Sequence, residues 1–143
     1  MRPAKILMLA AIVVVVAAGC GTKERMAKMQ NVKPPAAGIP SGPGDVSGIY
    51  RSAHLGTLQL RSDGTITLIV PNGGGASAGR FTLQQGRIEV QTSECGETDG
   101  SYDVAVTGLQ KAGKATLVIT GVADQCASRL RDLTRDPWVY ADS

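Results

Sequence analysis

The strongest constraint on this chain is a period of two that governs its sequence from Val46 onward. Leu58 and Leu60 alternate with Thr57, Gln59 and Arg61. Ile66, Leu68 and Val70 alternate with Thr65, Thr67 and Ile69, and the same spacing recurs at Phe81 and Leu83, Ile88 and Val90, Tyr102, Val104 and Val106, and Leu117 and Ile119. Side chains two apart on an extended chain share a face, so each run reads as a half-buried antiparallel strand. No stretch of twelve residues carries a helical period; Ser128 to Leu133 has room for one short helical turn before a last strand around Trp138 to Tyr140. Turn chemistry separates the runs. Asp63-Gly64 reads as a tight hairpin with glycine at positive φ, and Gln84-Gln85-Gly86 as a slightly longer one. Pro71 to Gly79, with consecutive glycines at Gly73, Gly74 and Gly75, reads as a flexible loop.

Seven or eight short strands joined by successive hairpins predict an all-β, antiparallel, up-and-down arrangement. An open sheet of that width leaves two exposed edges and closure removes them, so a small barrel is expected. An immunoglobulin-like sandwich is the alternative, but it needs long crossovers where this chain offers hairpins.

The first forty-five residues obey different rules. Arg2 and Lys5 precede an uncharged apolar run from Ile6 to Ala18. As a helix the run would span roughly 20 Å, short of the ~30 Å hydrocarbon core of a bilayer, and it has the length of a signal-peptide core. It ends in Val16-Ala17-Ala18-Gly19-Cys20, which resembles the lipobox of bacterial lipoproteins, with alanine at position 17 where that family most often has leucine. The resemblance implies a signal peptide over residues 1–19, cleavage after Gly19 and lipidation of Cys20. Two or more acyl chains hold firmly where one binds reversibly, at ~0.8 kcal/mol per buried methylene. Partnership with a membrane through the lipid anchor follows. Gly21 replaces the aspartate that retains lipoproteins in the inner membrane of enteric bacteria. The expected location is therefore the cell envelope: the outer membrane in a Gram-negative host, the outer face of the cytoplasmic membrane otherwise.

Residues 20–45 carry the lipidated cysteine and a Pro/Gly-rich segment with Pro34, Pro35, Pro40 and Pro43. Such a composition buries too little apolar surface to offset ordering, so an extended, mobile linker is expected. Charge is split along the chain: six of its 15 Lys and Arg residues precede Val46, leaving nine against ten Asp and Glu from there on. A near-neutral domain without a basic patch excludes nucleic acid as a partner. The basic residues beside the lipid would favour anionic headgroups.

The domain from Val46 to Ser143 is small and buries only ~60–65% of its unfolded surface, so a crosslink would help it. Cys95 and Cys126 reach an oxidising compartment behind a secretion signal, where a disulfide is the default and a pair of free thiols the alternative. The only histidine, His54, with two cysteines at this spacing matches no zinc pattern, so no metal or other cofactor is expected. Glu94, Glu97 and Asp99 fit neither a calcium loop nor a glycosidase pair and read as a solvated acidic turn. One histidine beside no nucleophile gives no triad, and no catalytic residue is expected.

Further motifs resemble lipocalins. Gly48-Ile49-Tyr50 stands where lipocalins carry Gly-x-Trp, with tyrosine in place of tryptophan. The segment from Leu58 to Thr65 is similar to the Leu-x-Leu-x-x-Asp-Gly-Thr hairpin of small bacterial lipocalin-like domains. Gly100-Ser101-Tyr102 matches their Gly-x-Tyr. Asp124-Gln125-Cys126-Ala127-Ser128-Arg129 matches their Asp-x-Cys-x-x-Arg, followed by Leu133 and Trp138. The resemblance spans Val46 to about Tyr140. It implies a closed barrel with a disulfide, often without a known ligand. It also implies a structural plug at the closed end, with Arg129 or Arg131 lying against Tyr50 or Trp138 as a cation–π cover. Two activities fit: a binding module for a small apolar ligand held in the barrel mouth, or a protein-interaction module such as a hydrolase inhibitor or an envelope-assembly accessory.

Overall fold

A computed structural model describes residues 34–71, 74–108 and 114–141. The signal segment, Cys20 and the start of the linker lie outside the described residues.

Eight antiparallel strands close into a barrel in simple sequence order. They are β1 (Gly48–Ser52), β2 (Gly56–Leu60), β3 (Thr65–Val70), β4 (Gly75–Gln84), β5 (Arg87–Thr92), β6 (Gly100–Thr107), β7 (Thr116–Ala123) and β8 (Trp138–Tyr140). β8 closes the ring by pairing Tyr140 with Tyr50 and Val139 with Arg51. One helix, α1 (Ala127–Thr134), lies between β7 and β8. The sandwich alternative is excluded by this pairing.

The inward residues are those that the alternation selects. Leu58, Leu60, Ile66, Leu68, Phe81, Leu83, Ile88, Val90, Tyr102, Val104, Val106, Leu117 and Ile119 are all buried, joined by Tyr50, Trp138 and Tyr140 in one core. Eight strands give a bore that side chains just fill. Glycine makes the curvature possible at Gly79, where a Cβ would stand 1.8 Å from the Gln91 carbonyl oxygen on the neighbouring strand.

Three local expectations are corrected. The Pro71–Gly79 segment is not a loop throughout: β4 begins at Gly75, and Gly75 to Gly79 pair with Val70 back to Ile66. Strand pairing supplies the backbone hydrogen bonds and overrides the low strand propensity of glycine and alanine. The two hairpins exchange character. Gln85-Gly86 is the tight two-residue turn between paired Gln84 and Arg87, with φ of 48° and 79°. Asp63-Gly64 instead ends a longer connection: Gly64 N–H donates to Arg61, Arg61 N–H donates to the Thr65 carbonyl, and Gly64 takes φ of 81°. Asp63 accepts from Thr65 N–H, and hydrogen bonding to Thr65 holds its carboxyl below the usual range.

The described part of the linker is not free of the barrel either. Gly38 pairs with Val106 through two backbone bonds of 2.9 Å, and the Pro40 carbonyl accepts from Gly86 N–H. Pro35, Pro40 and Val46 are buried, and a 3-10 turn over Pro43–Val46 leads into β1. β5 begins only at Arg87, opposite Asp103, so β6 has an uncovered edge near Val106, and the linker's backbone satisfies it.

Candidate functional site

Alternating strands give the barrel two ends. At one end the linker enters beside Val106 and the β4–β5 turn. The other end gathers the β1–β2 turn, the β3–β4 connection, the β5–β6 loop and α1, and with them most of the residues that carry chemistry.

The apolar face of α1 closes this second end. Leu133 is buried, and Trp138 donates from Nε1 to the Leu133 carbonyl at 3.1 Å. Cys95, in the β5–β6 loop, and Cys126, just before α1, stand at disulfide distance with Cα atoms 5.8 Å apart. The crosslink ties the loop to the start of the helix.

Beneath it lies a buried ion pair. Arg129 donates from Nε to Asp124 Oδ2 at 2.7 Å and from Nη2 to Oδ1 at 2.8 Å, and its Nη1 reaches the Thr98 carbonyl at 2.9 Å. Asp124 also accepts from the Tyr102 hydroxyl and from Cys126 N–H at 2.7 Å. Both charged side chains are at most 1% exposed. Burial pushes the Asp124 carboxyl up, but the bonds from Arg129, Tyr102 and Cys126 outweigh it and hold the group below the ordinary range. The bond to Asp124 raises Arg129, and burial with the adjoining carboxylate raises Tyr102. Gly100 makes room for this cluster: a Cβ there would come within 2.3 Å of Asp124 Oδ2.

This geometry corrects the expected plug. Arg129 is buried at the closed end, but its guanidinium lies on Asp124 rather than on an aromatic face, and Arg131 is exposed and bonded to Asp132. Tyr50 turns the other way. Its hydroxyl donates to the Val46 carbonyl at 2.6 Å, and its ring meets Tyr140 edge to face at 5.7 Å. Burial, with Tyr140 adding, raises the Tyr50 hydroxyl. Trp138 is buried under α1. The cation preferred a carboxylate that could accept two of its bonds, and the Asp-x-Cys-x-x-Arg spacing brings that carboxylate within reach.

A second cluster sits at the same end. Ser52 Oγ and His54 Nδ1 each bond Asp136 Oδ2 at 3.2 Å, and Ser52 Oγ accepts from the N–H groups of His54 and Leu55. The serine hydroxyl is thus held by the carboxylate and not by the imidazole. The three groups brace the β1–β2 turn against the segment entering β8 and do not form a nucleophile–base chain. Glu94, Glu97 and Asp99 are exposed, as expected of a solvated turn. Among the described residues no group of three His, Cys, Asp or Glu side chains is placed to hold a metal ion.

No protein-family model, curated protein or solved structure matches the chain.

Proposed function

We propose that this chain is a lipid-anchored protein of the cell envelope whose barrel serves as a non-catalytic protein-interaction module. The observation that carries this reading is the packed interior. Side chains lining a hollow wide enough for a ligand keep area that a water molecule can touch. Tyr50, Leu58, Tyr102, Leu117 and Trp138 keep 0% of theirs. That leaves little room for the small apolar ligand that a lipocalin-like domain would carry in its mouth. The outer surface is then the working part.

The anchor rests on the residues around Cys20. The fourteen residues from Cys20 to Lys33 extend at most ~50 Å, and the chain meets the barrel at the end opposite α1. A tethered barrel would therefore present its helix-covered end away from the membrane. Replacing Cys20 with serine is expected to abolish labelling by radioactive palmitate and to move the protein from the membrane to the soluble fraction. Unchanged membrane retention would contradict the anchor.

The interaction reading is tested by cross-linking the full chain in intact host cells and recovering it in detergent. The expected product is a defined envelope protein cross-linked to the outer face of the barrel. A stoichiometric apolar small molecule in native mass spectra of the same preparation, without a cross-linked protein, would reverse the assignment in favour of ligand carriage.

A further inference from the structure

β7 runs from Thr116 to Ala123, but β8 pairs only with Thr116 and Leu117. Hydrogen-bonding direction alternates along a strand, and here it can be read from both neighbours. Val104 and Val106 turn their N–H groups away from β7, to the Gly86 and Gly38 carbonyls. Asp103, Ala105 and Thr107 therefore face β7, opposite Thr120, Val118 and Thr116. The odd-numbered residues of β7 point to the β8 side, as Ala115 does in accepting from Tyr140 N–H. Ile119 and Gly121 continue that row. Among the described residues, no backbone or side-chain group bonds their N–H and C=O groups on that side.

A groove of about 330 Å³ opens at this position, with β7 residues 118–121 as one wall and Thr134, Asp136 and Pro137 as the other. Edge strands are usually blunted by lysine, proline or a bulge. Val118-Ile119-Thr120-Gly121-Val122-Ala123 has neither charge nor proline, Val122 is half-exposed, and the register shift of β7 lies beyond Gly121. The open row is left intact.

We infer that this groove takes an extended peptide segment of a partner protein, added as a strand to the β7 edge, with a cationic side chain beside Asp136. Two rungs of donors and acceptors two residues apart match an extended backbone, whose own repeat is about 6.7 Å. A strand added to this row at the usual spacing of about 4.8 Å would run between β7 and the segment that carries Asp136. The charge also fits. Among the described residues, the side-chain bonds to the Asp136 carboxylate, from Ser52 and His54, fall on Oδ2, and Oδ1 is the atom that would meet a lysine or arginine. This inference rests on the protein-interaction reading and names its surface and the form of its partner.

The test uses the full, isotopically labelled chain in detergent micelles with the probe Ac-Thr-Val-Lys-Val-Thr-NH2. In the free protein the amides of Ile119 and Gly121 are expected to exchange roughly tenfold or more faster than those of Val118 and Thr120, which face β6. The peptide is expected to slow exchange at Ile119 and Gly121. An analogue N-methylated on the amides facing the edge should bind about tenfold more weakly. Asp136→Asn should weaken the lysine peptide and leave its norleucine counterpart unchanged. Equal protection of all four amides in the free protein, equal binding of the N-methylated analogue, or no binding at millimolar peptide would overturn the inference. A cross-linked envelope partner that leaves β7 unprotected would sink the strand addition and spare the interaction reading. Peptide binding at β7 with no cross-linked protein would do the reverse.

Discussion

Asp124 satisfies a buried cation, a buried phenol and a backbone N–H at once. Asp124→Asn would leave Arg129 buried without its counter-charge, and a loss of about 3–5 kcal/mol at neutral pH is expected in urea unfolding. The pH dependence has a definite sign. The folded-state pKa of Asp124 is depressed, so its contribution is complete above the ordinary carboxylate value of ~4 and is lost as pH falls through the lower folded value. The wild-type chain should therefore lose stability on that limb more steeply than Asp124→Asn, and parallel acid profiles for the two would refute the assignment. Two other buried polar groups make the opposite case. Ser77 Oγ and Thr92 Oγ1 are buried and find no hydrogen-bond partner among the described residues. Thr92→Val removes an orphaned hydroxyl at nearly constant shape and is expected to stabilise by about 1 kcal/mol, read as a higher urea midpoint at unchanged slope.

Among the elements, α1 has the fewest means of holding itself. It has eight residues, its N-cap Cys126 makes no capping bond with its side chain, and a helix this short is unstable alone. What keeps it in place is tertiary: Leu133 and Arg129 buried below, the Trp138 bond to its last turn, and the Cys95–Cys126 link at its start. The two cysteines are 31 residues apart in sequence, and closing that loop is worth about 3–4 kcal/mol on the chain-entropy model. Reduction should lower stability by this amount and release α1 and the β5–β6 loop first, seen as faster amide exchange there than in β2–β4. Uniform exchange after reduction would show that the crosslink acts on the whole barrel and not through the helix.

At the scale of the molecule, the described linker and α1 do related work at opposite ends. Each covers a place where a strand is too short for its neighbour: the linker beside β6 below Arg87, and α1 with the following segment beside β7 above Leu117. The linker completes its edge with backbone bonds through Gly38 and Pro40. At the helix end Leu130 packs over Gly121, and among the described residues the carbonyls and amides of Ile119 and Gly121 facing away from β6 find no partner. Gly86→Pro would remove the donor to Pro40 and the positive φ of the turn together, and a loss of at least about 3 kcal/mol is expected in unfolding. An unchanged midpoint would show that the linker contact contributes nothing.

The alternation alone determined which face of each strand is buried, because a pleated chain cannot turn the side chains of Leu58 and Leu60, or Tyr102, Val104 and Val106, to different sides. It also limited the architecture to closed or stacked antiparallel sheets, and the residues flanking Cys20 set the expected anchor without reference to any fold. Closure, and the choice of partners for each polar group, belonged to the tertiary structure. Whether Gly75 to Gly79 formed a loop or a strand depended on an exposed β3 edge waiting beside them. Whether Pro34 to Asp45 stayed free depended on how far β5 reached along β6. Arg129 shows the reason most clearly. The lipocalin resemblance implied a cation–π cover at the closed end, but hydrogen bonds depend on distance and direction, and these came into being only when β7 and α1 brought Asp124 within 2.7 Å.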